Sequence, residues 1–498
     1  MPVKKIMFNK IASFLNKEPA AFTKKDLSRY IREHGVRMLN FRYVAGDSRL
    51  KTLNFVVNDE KYLDRVLSAG ERVDGSSLFK NIDASSSDLY VLPRYRTAFV
   101  NPFSEVPAVD ILCSFYNPDG SPFASAPENV LKRAHSEFNK KTGFDFHALG
   151  ELEYYVVSQK DPLYPTAAQK GYHEAFPFSK WEGLRCEAMN AIAEAGGRIK
   201  YGHAEVGFIR TEDAEMTQQE IEFLPTDCAE SADQLAVAKW IVSCVGRKYG
   251  VTVTFAPKIS IGHAGSGLHF HTCLLKKGKS VMLSGSGLSP EAKKAIAGFL
   301  KLAQSLTAFG NTVPTSYFRL VPHQEAPINV CWGYRNRSAL VRVPLGWQKA
   351  VDMIKDANPA SSREIYGVKP SQTVEFRSAD GSANVHLFLA GLCCAARLGF
   401  EMKDSVKYAD EHFVEGNPLH SKNKTFQGRF PKLPASCHES AQELEKDRQI
   451  YEALGVFPPA VIDGVIKKLK SYDDRSLSER LYGKEEEIKK MVAEYLYC

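Results

Sequence analysis

Gly265-Ser266-Gly267-Leu268-His269-Phe270-His271 reads as a glycine-rich approach to the start of an extended strand. Residues two apart on a strand share a face, so His269 and His271 point the same way, and the glycines before them let backbone approach a ligand closely. The same i, i+2 device recurs in Glu151-Leu152-Glu153, Gln219-Glu220-Ile221-Glu222 and Glu375-Phe376-Arg377. Carboxylates stacked on one face repel unless something positive lies between them. The pattern predicts an α+β protein with a metal and nucleotide site built from strand faces.

At 498 residues the chain is long enough for more than one domain. A formal charge of +7 is too small and too dispersed for a nucleic-acid protein, though it favours approach of anionic small substrates. Ten cysteines with no CxxC pair, several inside apolar runs such as Leu392-Cys393-Cys394-Ala395, read as buried thiols in a reducing compartment. The longest apolar run near the N-terminus, Ile6-Met7-Phe8, is too short for a signal-peptide core, and no stretch approaches the roughly 20 apolar residues of a membrane helix. A cytoplasmic protein without membrane or nucleic-acid partners is expected.

Along the chain, the spacing of Leu27, Tyr30 and Ile31 predicts a helix ended by Gly35, and residues 36–44 and 50–57 a hairpin across Gly46-Asp47. Residues 72–77 read as a polar glycine loop, and short strands at 89–92 and 97–100 complete a small α+β unit. Its expected bounds are 25–122, behind an N-terminal extension over 1–24. Ser125-Ala126-Pro127-Glu128 predicts a capping box opening a helix that stops at Gly143. Residues 144–157 read as a strand pair holding Glu151 and Glu153. Helices at 184–195 and 235–249 alternate with strands at 199–205 and 251–255. Residues 290–309 and 383–400 read as helices, while 319–325 and 330–343 are strand-like and rich in arginine. From residue 439 onward a solvated helical layer is expected, so 123–498 forms one large catalytic unit.

Glu151 and Glu153 on an exposed edge would be unremarkable, but Ala148-Leu149 and Tyr154-Tyr155-Val156-Val157 flank them, and buried carboxylates need metal or cationic partners. Carboxylates with histidine suit Mg²⁺ or Mn²⁺ better than a thiolate metal. Arg335-Asn336-Arg337-Ser338, Arg342 and Arg319 supply planar donors of the kind a transferring phosphoryl group requires. No Walker A motif occurs. Residue types and spacing reach a metal-dependent, phosphate-handling α+β enzyme.

Taken in order, several motifs resemble the glutamine synthetase family, in its type I, bacterial branch: Asp-Gly-Ser-Ser at 74–77, Glu-x-Glu at 151 and 153, Lys170-Gly171-Tyr172, His203-Ala204-Glu205-Val206, Gln219-Glu220, Gly-Ser-Gly-x-His at 265–269, Arg319-Leu320-Val321-Pro322 with Glu325-Ala326-Pro327, Asn336-Arg337-Ser338 and Glu375-Phe376-Arg377. The resemblance covers nearly the whole chain. It implies a β-grasp-like N-terminal domain, a larger catalytic domain with an antiparallel sheet lining the active site, and a homo-oligomer of hexameric rings, usually two stacked into a dodecamer, with sites shared between neighbouring subunits.

By position, the resemblance implies that Glu153, Glu205 and Glu220 hold one Mg²⁺ or Mn²⁺ ion and Glu151, His269 and Glu375 a second, giving two ions per site, or three. It implies that His203, His271, Cys273, Arg337 and Arg342 lie near ATP, and that Gly265, His269, Arg319 and Arg377 contact the amino-acid substrate. Asp74 and Ser77 would reach in from the adjacent subunit and join Tyr172 and Glu205 around ammonium. Glu325 would lie on a flap over the reacting centre, and Asp74, Glu325, Arg337 and Arg342 would be catalytic. The implied reaction is ATP-dependent ligation of ammonium to the γ-carboxylate of L-glutamate through a γ-glutamyl phosphate, giving glutamine, ADP and phosphate.

Two alternatives stand beside it. One is a γ-glutamyl-amine ligase that takes an organic amine, against which the small anionic set Asp74, Ser77 and Tyr172 counts. The other is a non-catalytic structural relative, against which the complete set of metal positions counts. The chain also departs from the family pattern. Ala264 stands where the family has asparagine, and Cys273 where serine is common. Residues 207–218 read as an insertion beside the metals, with Glu215 and Glu222 as rival ligands. No tyrosine lies between Tyr408 and Tyr451, so the adenylylation switch of some relatives is expected to be absent; AMP found on a tyrosine of the purified protein would refute this.

Overall fold

The structure, a computed structural model, describes residues 6–80, 82–161, 167–321, 326–346, 350–361, 371–416, 428–481 and 483–497. The N-terminal unit comprises α1 (Lys10–Leu15), α2 (Lys24–Glu33), β1 (Met38–Val44), β2 (Leu50–Val56), α3 (Glu60–Ala69), β3 (Glu71–Asp74), β4 (Asp88–Pro93), β5 (Phe99–Val100) and β6 (Ala108–Tyr116). Six strands form one sheet in the order β2-β1-β6-β4-β3, with β5 on β6. The β1–β2 hairpin closes with Val44 opposite Leu50, and β1 runs parallel to β6. Thr23 and Asp26 form a reciprocal capping box at the start of α2. Ile11, Ala12 and Phe22 enter the same core as Phe41, Ile111 and Phe115, so the stretch expected as an extension is built into this unit. Residues 72–74, expected within a loop, belong to the strand Glu71–Asp74.

The large unit continues with α4 (Pro127–Thr142), β7 (Asp145–Ser158), α5 (Glu182–Glu194), β8 (Ile199–Arg210), β9 (Glu215–Phe223), β10 (Thr226–Asp227), α6 (Cys228–Lys248), β11 (Thr252–Thr254) and β12 (Leu268–Lys276). After it come the short β13 (Lys279–Ser280), β14 (Leu283–Ser284) and β15 (Gly287–Leu288), then α7 (Pro290–Lys301), α8 (Ala303–Gly310), α9 (Ser316–Arg319), β16 (Trp332–Tyr334), β17 (Val341–Val343), α10 (Ala350–Ala357) and β18 (Val374–Phe376). α11 (Val385–Glu401), α12 (Ser405–Glu411), α13 (Cys437–Glu452), α14 (Pro459–Lys470), α15 (Leu477–Arg480) and α16 (Glu485–Glu494) complete the helical layer. Ten strands form the main sheet, β16-β17-β18-β12-β7-β9-β8, with β10 and β11 on β7 and β13 on β12. All its pairings are antiparallel except β16–β17.

One face of this sheet is apolar and covered by helices. Phe388 of α11 packs on Phe270 and Phe376 with ring centroids 5.0 and 5.8 Å away, and Gly150 leaves room for Leu235 of α6, whose methyls would lie 2.8 Å from any Cβ there. Period-2 alternation then forces Glu151, His269, His271 and Glu375 onto the opposite face. Several expectations need correction. Residues 145–158 are one continuous strand, with no turn between the glutamates. α4 is capped by Ala126, which has no side-chain acceptor, and Glu128 instead accepts the Phe115 N–H at 3.1 Å. Arg319 ends a helical turn, and Arg335-Asn336-Arg337-Ser338 forms the turn between β16 and β17, entered at φ +57° on Arg335. Among the described residues no single helix is long and apolar enough to cross a membrane, and α11, the most apolar, is buried in the core.

A buried latch joins the units. Arg94 donates to both carboxylate oxygens of Asp233 at 2.6 and 3.0 Å, and His386 lies 3.2 Å from the same carboxylate. Burial opposes ionisation of Asp233, but Arg94 and His386 overcome it and hold the carboxyl well below the usual range. A folded pKa below the unfolded one means that this stabilisation is complete above the ordinary carboxylate pKa and is lost as acid carries the pH below it. Arg94→Ala strands a buried carboxylate and is expected to cost about 3–5 kcal/mol, measured by urea unfolding at neutral pH. The deficit relative to the parent should shrink in acid.

Candidate active site

Register assembles the polar face. His269 stands opposite Glu151, Glu151 opposite Glu222 and Glu153 opposite Glu220, His203 opposite Glu220, His271 opposite Glu375, and Arg342 opposite Glu375. Glu151 is the hub. Its oxygens lie 3.0 Å from His269 Nδ1 and 2.7 Å from His271 Nε2, and Glu375 lies 3.6 Å from His269. Arg342 donates to Glu375 at 2.8 Å, and Arg377 donates to its other oxygen. Three sets of potential ligand atoms lie within 4.8 Å of one another here: Glu151, His269 and Glu375; Glu151, Glu222 and His271; and His203, Glu205 and Glu220.

The electrostatics divide this face. Burial pushes Glu151 up, but His271 and His269 hold its carboxyl well below the usual range. Burial also opposes ionisation of Glu375, and Arg377 more than offsets it. Glu220 has His203 3.5 Å away, yet burial and the charges of Glu151, Glu153, Glu205 and Glu222 push it well above the usual glutamate range. The buried Glu222 Oε2 makes no hydrogen bond. Hard oxygen and imidazole donors whose acids crowd each other fit a divalent cation of the Mg²⁺ or Mn²⁺ type.

A cavity of about 560 Å³ opens over this face. Among the residues expected from the sequence, Glu151, Glu153, Tyr172, His203, Glu205, Glu220, Gly265, His269, Arg319, Arg337, Arg342 and Arg377 line it. Glu153, grouped by resemblance with Glu205 and Glu220, accepts with one oxygen from the Gly267 N–H at 2.8 Å and from Gln218 at 3.0 Å, and His203 lies beside Glu205 and Glu220. His271 sits inside the acid cluster through Glu151. Cys273 is buried in β12, away from the cavity lining, and burial pushes its thiol up to about 12. Asp74 and Ser77 are not among the lining residues; Asp74 is exposed, accepts from the hydroxyls of Ser76 and Ser77 at 2.7 and 2.6 Å, and those bonds hold its carboxyl below the usual range. Glu325 lies outside the described residues.

The stretch expected as an insertion lengthens the β8–β9 hairpin, which pairs out to Arg210 opposite Glu215. Glu215 is a buried acid tied to Lys180 and Arg210, which removes it as a rival ligand, whereas Glu222 stays beside Glu151 and His271. Glu215→Gln is therefore expected to lower the melting temperature while leaving divalent-ion affinity within about twofold, checked by calorimetry; the tenfold or greater loss typical of a ligand or its support would return Glu215 to the site.

Two cavity residues escaped the sequence reading. Lys258 is buried, donates to the His263 carbonyl and, through burial and the neighbouring Arg319, is pushed down to about 8. A lysine directly after Phe255-Ala256-Pro257 was the available signal. Gln218, two residues before Glu220 and so on its face, bridges Glu153 to the Gly265 carbonyl at 3.0 Å. Tyr155 donates to the Ala264 carbonyl at 2.8 Å. The glycine approach is thus held at successive carbonyls by side chains, with no amide side chain at position 264.

A polar sheet face of acids, imidazoles and guanidiniums behind a small mixed domain is matched by known enzymes, and the comparisons place the chain among ligases. The family model of the glutamine synthetase catalytic domain matches residues 124–481, and that of the glutamine synthetase β-grasp domain matches residues 35–118. The chain belongs to the glutamine synthetase family. It is 32% identical to the glutamine synthetase of Pyrococcus furiosus, covering 82% of this chain and 85% of that one, and 30% identical to that of Thermus thermophilus, covering 87% and 92%. The structure of Plasmodium falciparum glutamine synthetase superposes with a TM-score of 0.74 at 21% identity over 93% of this chain and 97% of that one. A GmaS/ADP complex superposes at 0.72 and 19% identity, over 91% and 96%.

Proposed function

We propose that this protein ligates ammonium to the γ-carboxylate of L-glutamate at the expense of ATP, through a γ-glutamyl phosphate, releasing glutamine, ADP and phosphate. The observation that carries the reading is the convergence of the acid–imidazole groups and the guanidiniums of Arg319, Arg337, Arg342 and Arg377 on one cavity. Glu151, His269 and Glu375 would hold one divalent ion, and His203, Glu205 and Glu220, with Glu153 adjacent, a second. Ions bound there neutralise phosphate and carboxylate oxygens that otherwise repel.

The remaining work falls to side chains of this chain. Arg337 and Arg342 face the charge that spreads over a transferring phosphoryl group. Arg319, kept in place by its bond to the Ser378 carbonyl at 2.7 Å, and Arg377 orient the amino-acid carboxylate. Asp74, ionised at neutral pH by its serine partners, takes a proton from ammonium as general base. Because Asp74 is not among the residues lining its own cavity, a neighbouring subunit of a hexameric ring would deliver it, with Ser77, opposite Tyr172 and Glu205. Glu325 on a covering flap would keep water from the acyl phosphate.

The test is phosphate release from Mg-ATP and L-glutamate without amine, with ammonium, and with a panel of small organic amines. Release confined to ammonium, with glutamine as product, is the expected result. Preference for an organic amine would move the protein to the γ-glutamyl-amine ligases, and silence in every arm would overturn the catalytic reading.

A further inference from the structure

Gly207 and Gln218 bound the stretch that departs from the family spacing, and the β8–β9 hairpin brings them together where its register slips between Ala204 and Phe208. Gln218 is 2% exposed. Its Oε1 accepts the Gly207 N–H at 3.1 Å, which turns the amide nitrogen the other way, onto Glu153 Oε2 and the Gly265 carbonyl, each at 3.0 Å. The amide has one workable orientation, since reversal would set its NH₂ against an N–H donor and its oxygen between two acceptors. Position 207 has to be glycine for this: a Cβ there would stand 2.5 Å from Gln218 Oε1 and closer still to the Tyr155 hydroxyl.

These bonds close on one another. Glu153 Oε2 takes the Gly267 N–H at 2.8 Å besides the Gln218 amide, and the Gly267 carbonyl takes the Glu153 N–H at 3.3 Å. Glu153 Oε1 is left towards His269, 3.8 Å from its Nε2. The glycine approach has no side chain of its own to hold it over residues 264–267. Position 264 is alanine, two positions are glycine, and the buried Ser266 hydroxyl makes no hydrogen bond among the described residues. Its aim is therefore set by a side chain of the neighbouring strand β9. None of these bonds involves Arg337 or Arg342, the guanidiniums given to the phosphates.

We propose that Gln218, seated by Gly207, is the positioning residue that sets affinity for the amino-acid substrate. The inference deepens the ligase reading and rests on it for the identity of that amino acid. Gln218 acts through two groups at once. The Gly265 carbonyl, held in place by one N–H, keeps its other lone pair for an α-ammonium, and Glu153, pinned through one oxygen, keeps the other for the cation side of the cavity. Without the amide, both lose a donor inside a buried network, where a half-satisfied set costs most.

Gln218→Met, of similar length but without the amide, and Gly207→Ala, which pushes the amide aside, are compared with the parent as full-length proteins. Affinity for L-glutamate with Mn²⁺ present, measured by calorimetry, should fall tenfold or more, the range for loss of a group that supports a ligand. KM for glutamate should rise alike, while affinity and KM for ATP stay within about twofold. Amide hydrogen exchange should quicken in residues 263–268 and stay unchanged in α13. Either variant decides the matter if the other fails to fold. Equal losses for glutamate and ATP would make Gln218 a general stabiliser and overturn the inference, as would unchanged exchange over 263–268. Variants that bind glutamate as tightly as the parent would overturn this inference alone; a parent that binds no L-glutamate would overturn the ligase reading and this inference with it.

Discussion

Glu220→Gln is expected to lower ligase activity on the order of 10³-fold while raising the thermal stability of the metal-free protein. Both effects share one cause. Glu220 is buried among four other carboxylates and its folded pKa lies above the unfolded one, so its stabilising contribution belongs to the protonated form. That contribution is present below the ordinary glutamate pKa and is lost as pH rises through the higher folded value. Metal-free protein should accordingly lose stability as pH rises across this window, and Mg²⁺ or Mn²⁺ should abolish the loss. Glu151→Gln offers the contrast: its folded pKa is depressed by two histidines, so it should also lose activity but destabilise the metal-free protein. Melting curves with and without the cation separate the two, and a melting temperature that falls in Glu220→Gln would remove this acid from the proposed cation site.

Asp74→Ala should cost activity by about 10²–10⁴-fold, the range for loss of a general base, with affinities for ATP and glutamate within about twofold of the parent. The carboxylate is exposed and its partners are the neighbouring serines Ser76, Ser77 and Ser87, none of them a residue lining the cavity, so the proposed nucleotide and amino-acid sites should not depend on it. Equilibrium binding of ATP measured beside steady-state rates decides the matter, because weakened ATP binding would contradict the placement of this turn.

The acid–histidine face was legible because a strand's period is two: once Glu151, His269 and Glu375 each fall next to an apolar neighbour that must be buried, their common face follows without knowing the fold. Partner choice within the face was not. That His203 lies beside Glu205 and Glu220, and that the Gly267 N–H and Gln218 take one oxygen of Glu153, follows only from tertiary register. Alternation over residues 330–343 hid the turn at Arg335, since a single left-handed residue leaves no mark on hydropathy. Pro127 marked the start of α4 correctly to within one residue, but Glu128 answers to a strand N–H outside the helix, beyond the reach of a local capping rule. Lys258 reads as one more surface lysine until the loop folds over it.

In the hexameric ring proposed above, the exposed turn of Asp74, not among the residues lining the cavity of its own chain, gives the assembly a genetic signature. An Asp74→Ala chain keeps an intact cavity, and a Glu220→Gln chain keeps an intact aspartate. Each homo-oligomer should be inactive, yet co-assembled from the two, the mixture should regain activity wherever a sound cavity neighbours a sound turn: two dead alleles complementing each other within one ring.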